Sequence, residues 1–142
     1  MKILVLHGPN LNLLGQREPE HYGRFTLDML EKNLVEAFPE HQFTFLQSNH
    51  EGVLIDAIQQ ANTQVQAIIL NAGGYSHTSV ALADALKLNP VPTIEVHISN
   101  VLAREPFRHV ALLAPHVKGV ISGFGQQGYF LAVQAFTNTF ES

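Results

Sequence analysis

Apolar runs of strand length alternate along this chain with segments of helical period. Lys2–Leu6 (KILVL) is a continuous apolar run bounded by Gly8-Pro9. Phe25–Phe38 sets Leu27, Leu30, Leu34 and Phe38 on one face, with Thr26 as N-cap and Pro39 as the stop. Gln42–Gln47 predicts a second strand, and Gly52–Ala61 a second helix carrying Val53, Ile55, Ala57 and Ile58. Ala67–Leu70 predicts a third strand, and Ser79–Leu88 a third helix with Leu82, Ala83 and Leu86 inward. Thr93–Ile98 and Gly119–Ser122 predict two more strands before a closing helix over Tyr129–Phe140. Repeated βα units imply a parallel sheet wrapped on both faces. The expected fold is therefore α/β: a flavodoxin-like, doubly wound, five-stranded parallel sheet in three layers, spanning residues 1–142 as one domain.

In such a sheet, ligands sit beyond the carboxyl ends of the strands. Those ends are His7–Asn10, Ser48–His50, Asn71–His77, His97–Asn100 and Gly123–Gly125. They are rich in Asn, His, Ser and Gly, and general loop polarity explains poorly why so many carry hydrogen-bonding side chains.

Composition narrows the function. A net charge of −4 offers no basic field for nucleic acid. No apolar run reaches the length of a membrane span. The N-terminal MKILVLHGPN reads as the first strand of a cytoplasmic protein, not a signal peptide. With no cysteine, disulfides, thiolate metal sites and Cys nucleophiles are excluded. The 8 histidines show no H-E-x-x-H or similar spacing, so no metal is expected; His41 and His116 read as surface residues.

Several motifs fail on inspection. Gly123–Gly128 matches G-x-G-x-x-G, but that fingerprint belongs to a first βα turn with an acid about 20 residues on. It reads instead as a tight turn with close helix–sheet packing. Gly74–Thr78 lacks the final Gly of a G-x-S-x-G nucleophile elbow. Ser76-His77-Thr78 is better read as the cap of the third helix. The strand ends lack the acids and Lys of a phosphoacceptor receiver, and no Walker sequence occurs.

One constellation remains. Glu95 and His97 alternate on a strand and share a face. A carboxylate beside an imidazole fixes its tautomer and raises its basicity, which suits a general acid. Ile98-Ser99-Asn100 follows as a carboxylate seat, then Arg104 and Arg108 on a helical face or compact turn. Arg17 and Tyr22 lie in GQREPEHYG, a polar loop over about residues 15–24. A guanidinium lowers a nearby phenol's pKa, and a closing loop could form that pair over a substrate.

HGPNLNLLGQREPEHYG, FLQSNHEGVLIDAIQQA, NAGGYSHTSVALADAL, EVHISNVLAREPFRH and KGVISGFGQQGY resemble, in the same order, segments of the type II 3-dehydroquinate dehydratases. The resemblance covers nearly the whole chain. His7 stands where that family often has Asn, and NAGGYSHTS where NPGAYTHTS is common. The resemblance implies dehydration of 3-dehydroquinate to 3-dehydroshikimate through an enolate, with no metal or organic cofactor. Tyr22 then matches the base, Arg17 the residue lowering its pKa, His97 the acid, Glu95 its orienter, and Asn10 the holder of a water supporting the enolate. Asn71, Ile98 and Ser99 match the seat for the C1 carboxylate and hydroxyl; His77 and Arg108 match contacts to ring hydroxyls. Asp84 matches an acid supplied by a neighbouring subunit, and Arg104 an arginine close to the lid. A dodecamer, a tetramer of trimers, is the implied assembly.

Overall fold

The structure is a computed structural model that describes residues 1–16, 20 and 24–139, without the side chain of residue 139. Arg17 and Tyr22, and with them most of the expected lid, lie outside the described residues. Five strands, β1 (Lys2–His7), β2 (Gln42–Gln47), β3 (Ala67–Asn71), β4 (Thr93–His97) and β5 (Gly119–Ser122), pair in parallel in the order β2-β1-β3-β4-β5. The α-helices are α1 (Leu27–Ala37), α2 (Glu51–Ala61), α3 (Val80–Leu88) and α4 (Gln127–Thr139). This is the expected flavodoxin-like α/β architecture, with most element ends moved by a residue or two.

Alternation along the strands divides the core into two layers. Ile3 and Val5 of β1, Ala67 and Ile69 of β3, and Ile94 and Val96 of β4 pack under α1 and α4. Leu4, Leu6, Ile68 and Leu70 pack under α2 and α3. Central β3 is buried along its whole length, hence its uninterrupted apolar run. The predicted inward positions Leu30, Leu34, Leu82, Ala83 and Leu86 are buried, whereas α2 turns Leu54, Ile58 and Ala61 inward and leaves Val53 exposed.

Thr26 caps α1 as expected, its Oγ1 accepting the Met29 N–H at 3.2 Å. The cap of α3 is a correction. Residues 73–77 form a 3-10 turn, and Ser79 Oγ, not Ser76-His77-Thr78, accepts the Leu82 N–H at 2.9 Å. His41 is a second correction. Its ring packs beside Phe38 and Phe43, its side chain is only 7% exposed, and it contacts the N-terminal ammonium through Nδ1 at 3.0 Å. An imidazole with an aromatic neighbour on each side and a polar tip buries readily.

The crossover from β4 to β5 departs from the repeated βα pattern. It holds three short 3-10 turns, Val101–Ala103, Pro106–His109 and Ala114–His116, and no α-helix. Pro106 and Pro115 each start such a turn and cannot continue an α-helical ladder. The face of β4 and β5 opposite α4 is therefore left without a helix. Glu95, His97, Val120 and Ser122 line the groove there.

Two glycine positions show how tightly the ends of the sheet are drawn together. A Cβ on Gly8 would lie 2.4 Å from the Ala72 carbonyl oxygen, and the Gly8 N–H donates to the Asn71 carbonyl at 2.7 Å. A side chain there would force apart the loops after β1 and β3. Gly128 sits against Val96 and Ile121, where a Cβ would meet their methyls at 3.1 and 3.4 Å. That close contact, with positive φ at Gly123 and Gly125, bears out the packing-and-turn reading of Gly123–Gly128.

Candidate active site

The chain leaves β1 for β2 on one side and later places β3 on the other, so the order reverses between β1 and β3. A doubly wound sheet opens a crevice at that point. The pocket found there extends across to the end of β4 and is lined by Asn10, Asn71, His77, His97, Ile98, Ser99, Arg104 and Arg108, with Pro9, Leu11, Leu14, Gly73, Gly74 and Val101. Asn10, Asn71, His77, His97, Ile98, Ser99, Arg104 and Arg108 thus converge from three loops, those after β1, β3 and β4. Glu95 lies behind His97, facing the adjoining groove. Asp84 is exposed on α3 and does not line this pocket.

Each polar side chain is held by identifiable partners. Asn10 has a left-handed backbone (φ 70°), a conformation Asn tolerates better than most residues. Its N–H donates to Asn49 Oδ1 at 3.0 Å. The Asn49 amide also accepts from Gln47 Nε2 at 3.2 Å, and its carbonyl accepts from the Tyr75 hydroxyl at 2.8 Å. Asn49 is thus a supporting residue that the sequence signalled only as part of a polar strand end. Asn71, 3% exposed, donates from Nδ2 to the Tyr129 hydroxyl at 3.0 Å and accepts the Gly73 N–H on Oδ1 at 3.1 Å.

The two histidines are arranged as a pair. His77 Nδ1 donates to the Val110 carbonyl at 2.7 Å, which leaves Nε2 to carry its remaining chemistry. Its ring stacks on His97, with centroids 6.1 Å apart and planes at 21°. His97 Nε2 lies 3.5 Å from Glu95 Oε2, an ionic contact rather than a tight hydrogen bond. Glu95 is 1% exposed and its Oε1 has no hydrogen-bond partner. A carboxylate in that position can fix the orientation of the neighbouring imidazole.

The arginines come from successive 3-10 turns, the compact arrangement expected. Arg104 Nη1 donates to Ser99 Oγ at 3.2 Å. Ser122 Oγ donates to the Ser99 carbonyl at 3.0 Å, tying the loop after β4 to β5. Arg108 Nε donates to Glu105 Oε2 at 2.7 Å, and its guanidinium lies 5.0 Å from the Phe107 ring centroid. Glu105's own backbone hydrogen bond, followed by its bond from Arg108, holds its carboxyl below the usual range. Ser76 is 1% exposed, which is poor placement for a nucleophile and disfavours a serine hydrolase. Among the described residues no group of three His, Asp or Glu side chains could hold a metal, and no helix is long and apolar enough to cross a membrane.

His7, at the end of β1, carries a pH dependence. Burial pulls its imidazole down from 6.5 to about 4. The unfolded chain takes up this proton near the ordinary value, whereas the folded chain resists until near the lower one. Between the two the unfolded state binds more protons. The stability contributed by neutral His7 is therefore complete above the unfolded value and is lost as pH falls through the folded one. The shift corresponds to about 3 kcal/mol. Urea unfolding at about pH 7.5 and about pH 4.5 should show His7→Asn losing less stability than the parent by that order. Equal losses in the two proteins would place the acid sensitivity elsewhere.

Comparison with known proteins agrees with this geometry. The family model for class II dehydroquinases matches residues 1–137. The 3-dehydroquinate dehydratase of a Nostoc species is 56% identical over 136 residues, covering 94% of this chain and 92% of that protein. That of Bacillus licheniformis is 52% identical over 140 residues, covering 96% of each. The crystal structure of a type II dehydroquinase from Butyrivibrio crossotus superposes with a TM-score of 0.94 at 42% identity, over 97% of this chain and 98% of that one. With a full-length match in sequence and in fold, and a polar pocket at the switch point of the sheet, this chain belongs to the class II dehydroquinase family.

Proposed function

We propose that the chain dehydrates 3-dehydroquinate to 3-dehydroshikimate through an enolate. The observation that carries this reading is the family match over residues 1–137, joined to a pocket that gathers amides, imidazoles, a hydroxyl and guanidiniums at one end of the sheet. The α-proton of a ketone is a weak acid, so base, enolate support and leaving-group acid must all be positioned. In this scheme the Tyr22 phenolate, favoured by Arg17, removes the proton from the carbon beside the ketone. Asn10 holds a water against the enolate oxygen. His97, oriented by Glu95, then protonates the departing C1 hydroxyl.

Asn71, Ile98 and Ser99 seat the carboxylate and hydroxyl at C1, while His77 and Arg108 meet the ring hydroxyls. Arg104, bonded to Ser99, stiffens the seat beside the lid. The lid reading is supported by its described flanks: Leu14 lines the pocket, and Glu20 and Phe25 line a cleft shared with Ser99 and Arg104. An enolate route, rather than an imine, is supported by the lysines: Lys2, Lys32, Lys87 and Lys118 all lie off the pocket.

The assembly we propose is a dodecamer, a tetramer of trimers, in which Asp84 reaches a neighbour's site. Val80, Asp84 and Leu88 recur every four residues on one exposed face of α3. The groove beside His97 exposes Leu102, Val110, Val120 and Phe124, apolar area suited to burial between chains. Sedimentation tests this: a monomer at working concentration would remove the role of Asp84.

The reaction is tested by mixing purified protein with 3-dehydroquinate and following the ultraviolet absorbance of the conjugated enone. Enone formation supports the reading. Its absence from folded, assembled protein would leave a small-carboxylate binding module as the alternative.

A further inference from the structure

We propose that His7 and Tyr129 form a buried relay that fixes the orientation of the Asn71 amide, and so decides which hydrogen-bonding group Asn71 presents to a bound carboxylate or hydroxyl oxygen. The inference rests on the substrate reading above for its functional consequence, but the relay itself does not.

His7 and Asn71 are register partners at the ends of β1 and β3, directly under the switch point. Both occupy the parity that faces α4, and Tyr129 in the first turn of α4 reaches between them. His7 and Tyr129 are fully buried and Asn71 nearly so. Burying an imidazole, a phenol and an amide together is costly unless they bond to one another.

One arrangement of protons satisfies the amide and the phenol together, and among the described residues it leaves the buried His7 Nε2–H without a hydrogen-bond partner. The Gly73 N–H can only donate, so the Asn71 atom at 3.1 Å must be its oxygen. The other amide atom, 3.0 Å from the Tyr129 oxygen, is then the nitrogen and donates. The phenol has accepted one hydrogen bond and still holds its own proton. Among the described residues its other hydrogen-bonding neighbour is His7 Nδ1 at 3.4 Å, a long contact, with the two rings tilted at 45° and their centroids 5.5 Å apart. His7 accepts there only as the neutral Nε2–H tautomer. Burial favours the required state at both ends, lowering His7 and raising Tyr129.

The outcome is an amide that cannot flip. One N–H and one oxygen lone pair are committed, and the second N–H is left as the donor for a ligand in the pocket that Asn71 lines. A negatively charged or hydroxyl oxygen matches it. His7 and Tyr129 line neither the pocket nor the adjoining groove, so they act as positioning residues.

Two measurements test the relay. In protein with 15N-labelled histidine at neutral pH, His7 should appear as the Nε2–H tautomer, and its Nδ1 signal should move in Tyr129→Phe. An Nδ1–H tautomer would overturn the proton arrangement whether or not the protein turns over 3-dehydroquinate. In steady-state assays with 3-dehydroquinate, Tyr129→Phe should raise KM about tenfold with kcat within about threefold. His7→Asn, whose amide oxygen overlays Nδ1, should keep KM within about threefold, while His7→Leu should raise it as Tyr129→Phe does. Equal KM values for His7→Asn and His7→Leu would overturn the positioning role, and this pair decides the matter even if Tyr129→Phe fails to fold. An inactive parent protein with the Nε2–H tautomer would overturn the substrate reading and leave the relay standing.

Discussion

Replacing His97 with Ala should lower kcat by about 10²–10⁴ while KM stays within about threefold. The ring lies at the end of β4 with 8% exposure, between the stacked His77 ring and the buried Glu95 carboxylate. Elimination expels a hydroxyl, a poor leaving group unless it is protonated as it departs. In the proposed scheme His97 does that without moving, its ring oriented by Glu95. In the proposed scheme the substrate's carboxylate and hydroxyls are held mainly by other residues, so removing the acid spares binding. Steady-state kinetics in the enone assay separate the two parameters, and circular dichroism checks the fold. His97→Ala leaves Glu95 buried without its partner, so His97→Gln is the companion variant if the first is unstable. A large rise in KM with kcat retained would make His97 a binding residue and remove its assignment as acid.

Tyr22→Phe should be the more severe change, lowering turnover by about 10³-fold or more with fold and assembly intact. Phenylalanine preserves the ring and deletes the oxygen to which the proposed scheme assigns the proton. No described residue lining the pocket is a tyrosine, and the imidazoles there are assigned to other steps. Arg17→Ala should lower turnover in the same direction, because the proposed scheme has the guanidinium favouring the phenolate. Near-normal turnover in Tyr22→Phe would remove the base from the loop and send the search to His77, whose Nε2 is open once Nδ1 is committed to Val110.

Most of the scaffold was legible from local pattern. The KILVL and AIIL runs became β1 and β3 because strands covered on both faces need apolar residues at every position. Thr26 was readable as a cap because its hydroxyl precedes a helical period. The sequence places the cap of α3 one to three residues early because Ser76, Thr78 and Ser79 carry the same signal, and only the 3-10 turn over Gly73–His77 selects among them. His41 looked like a surface residue because the ring contacts that bury it come from tertiary packing.

Which residues line the pocket was legible too, since Asn10, Asn71, His77, His97, Ser99 and Arg108 each follow or end a strand in an α/β pattern. How they are held was not. Asn49 supports Asn10 from another loop, Tyr129 reaches Asn71 across 58 positions of chain, and Glu105 captures Arg108. Hydrophobic period and capping are local, acting over one or two turns, so they are written in neighbouring residues. A hydrogen bond between distant loops depends on sheet order and on the close approach at Gly8, and those arise only when the strands pair and the core closes. For the same reason the chain order could name Glu95 and His97 as partners on one strand, while the open face beside them exists only because the folded β4–β5 crossover carries no α-helix to cover it.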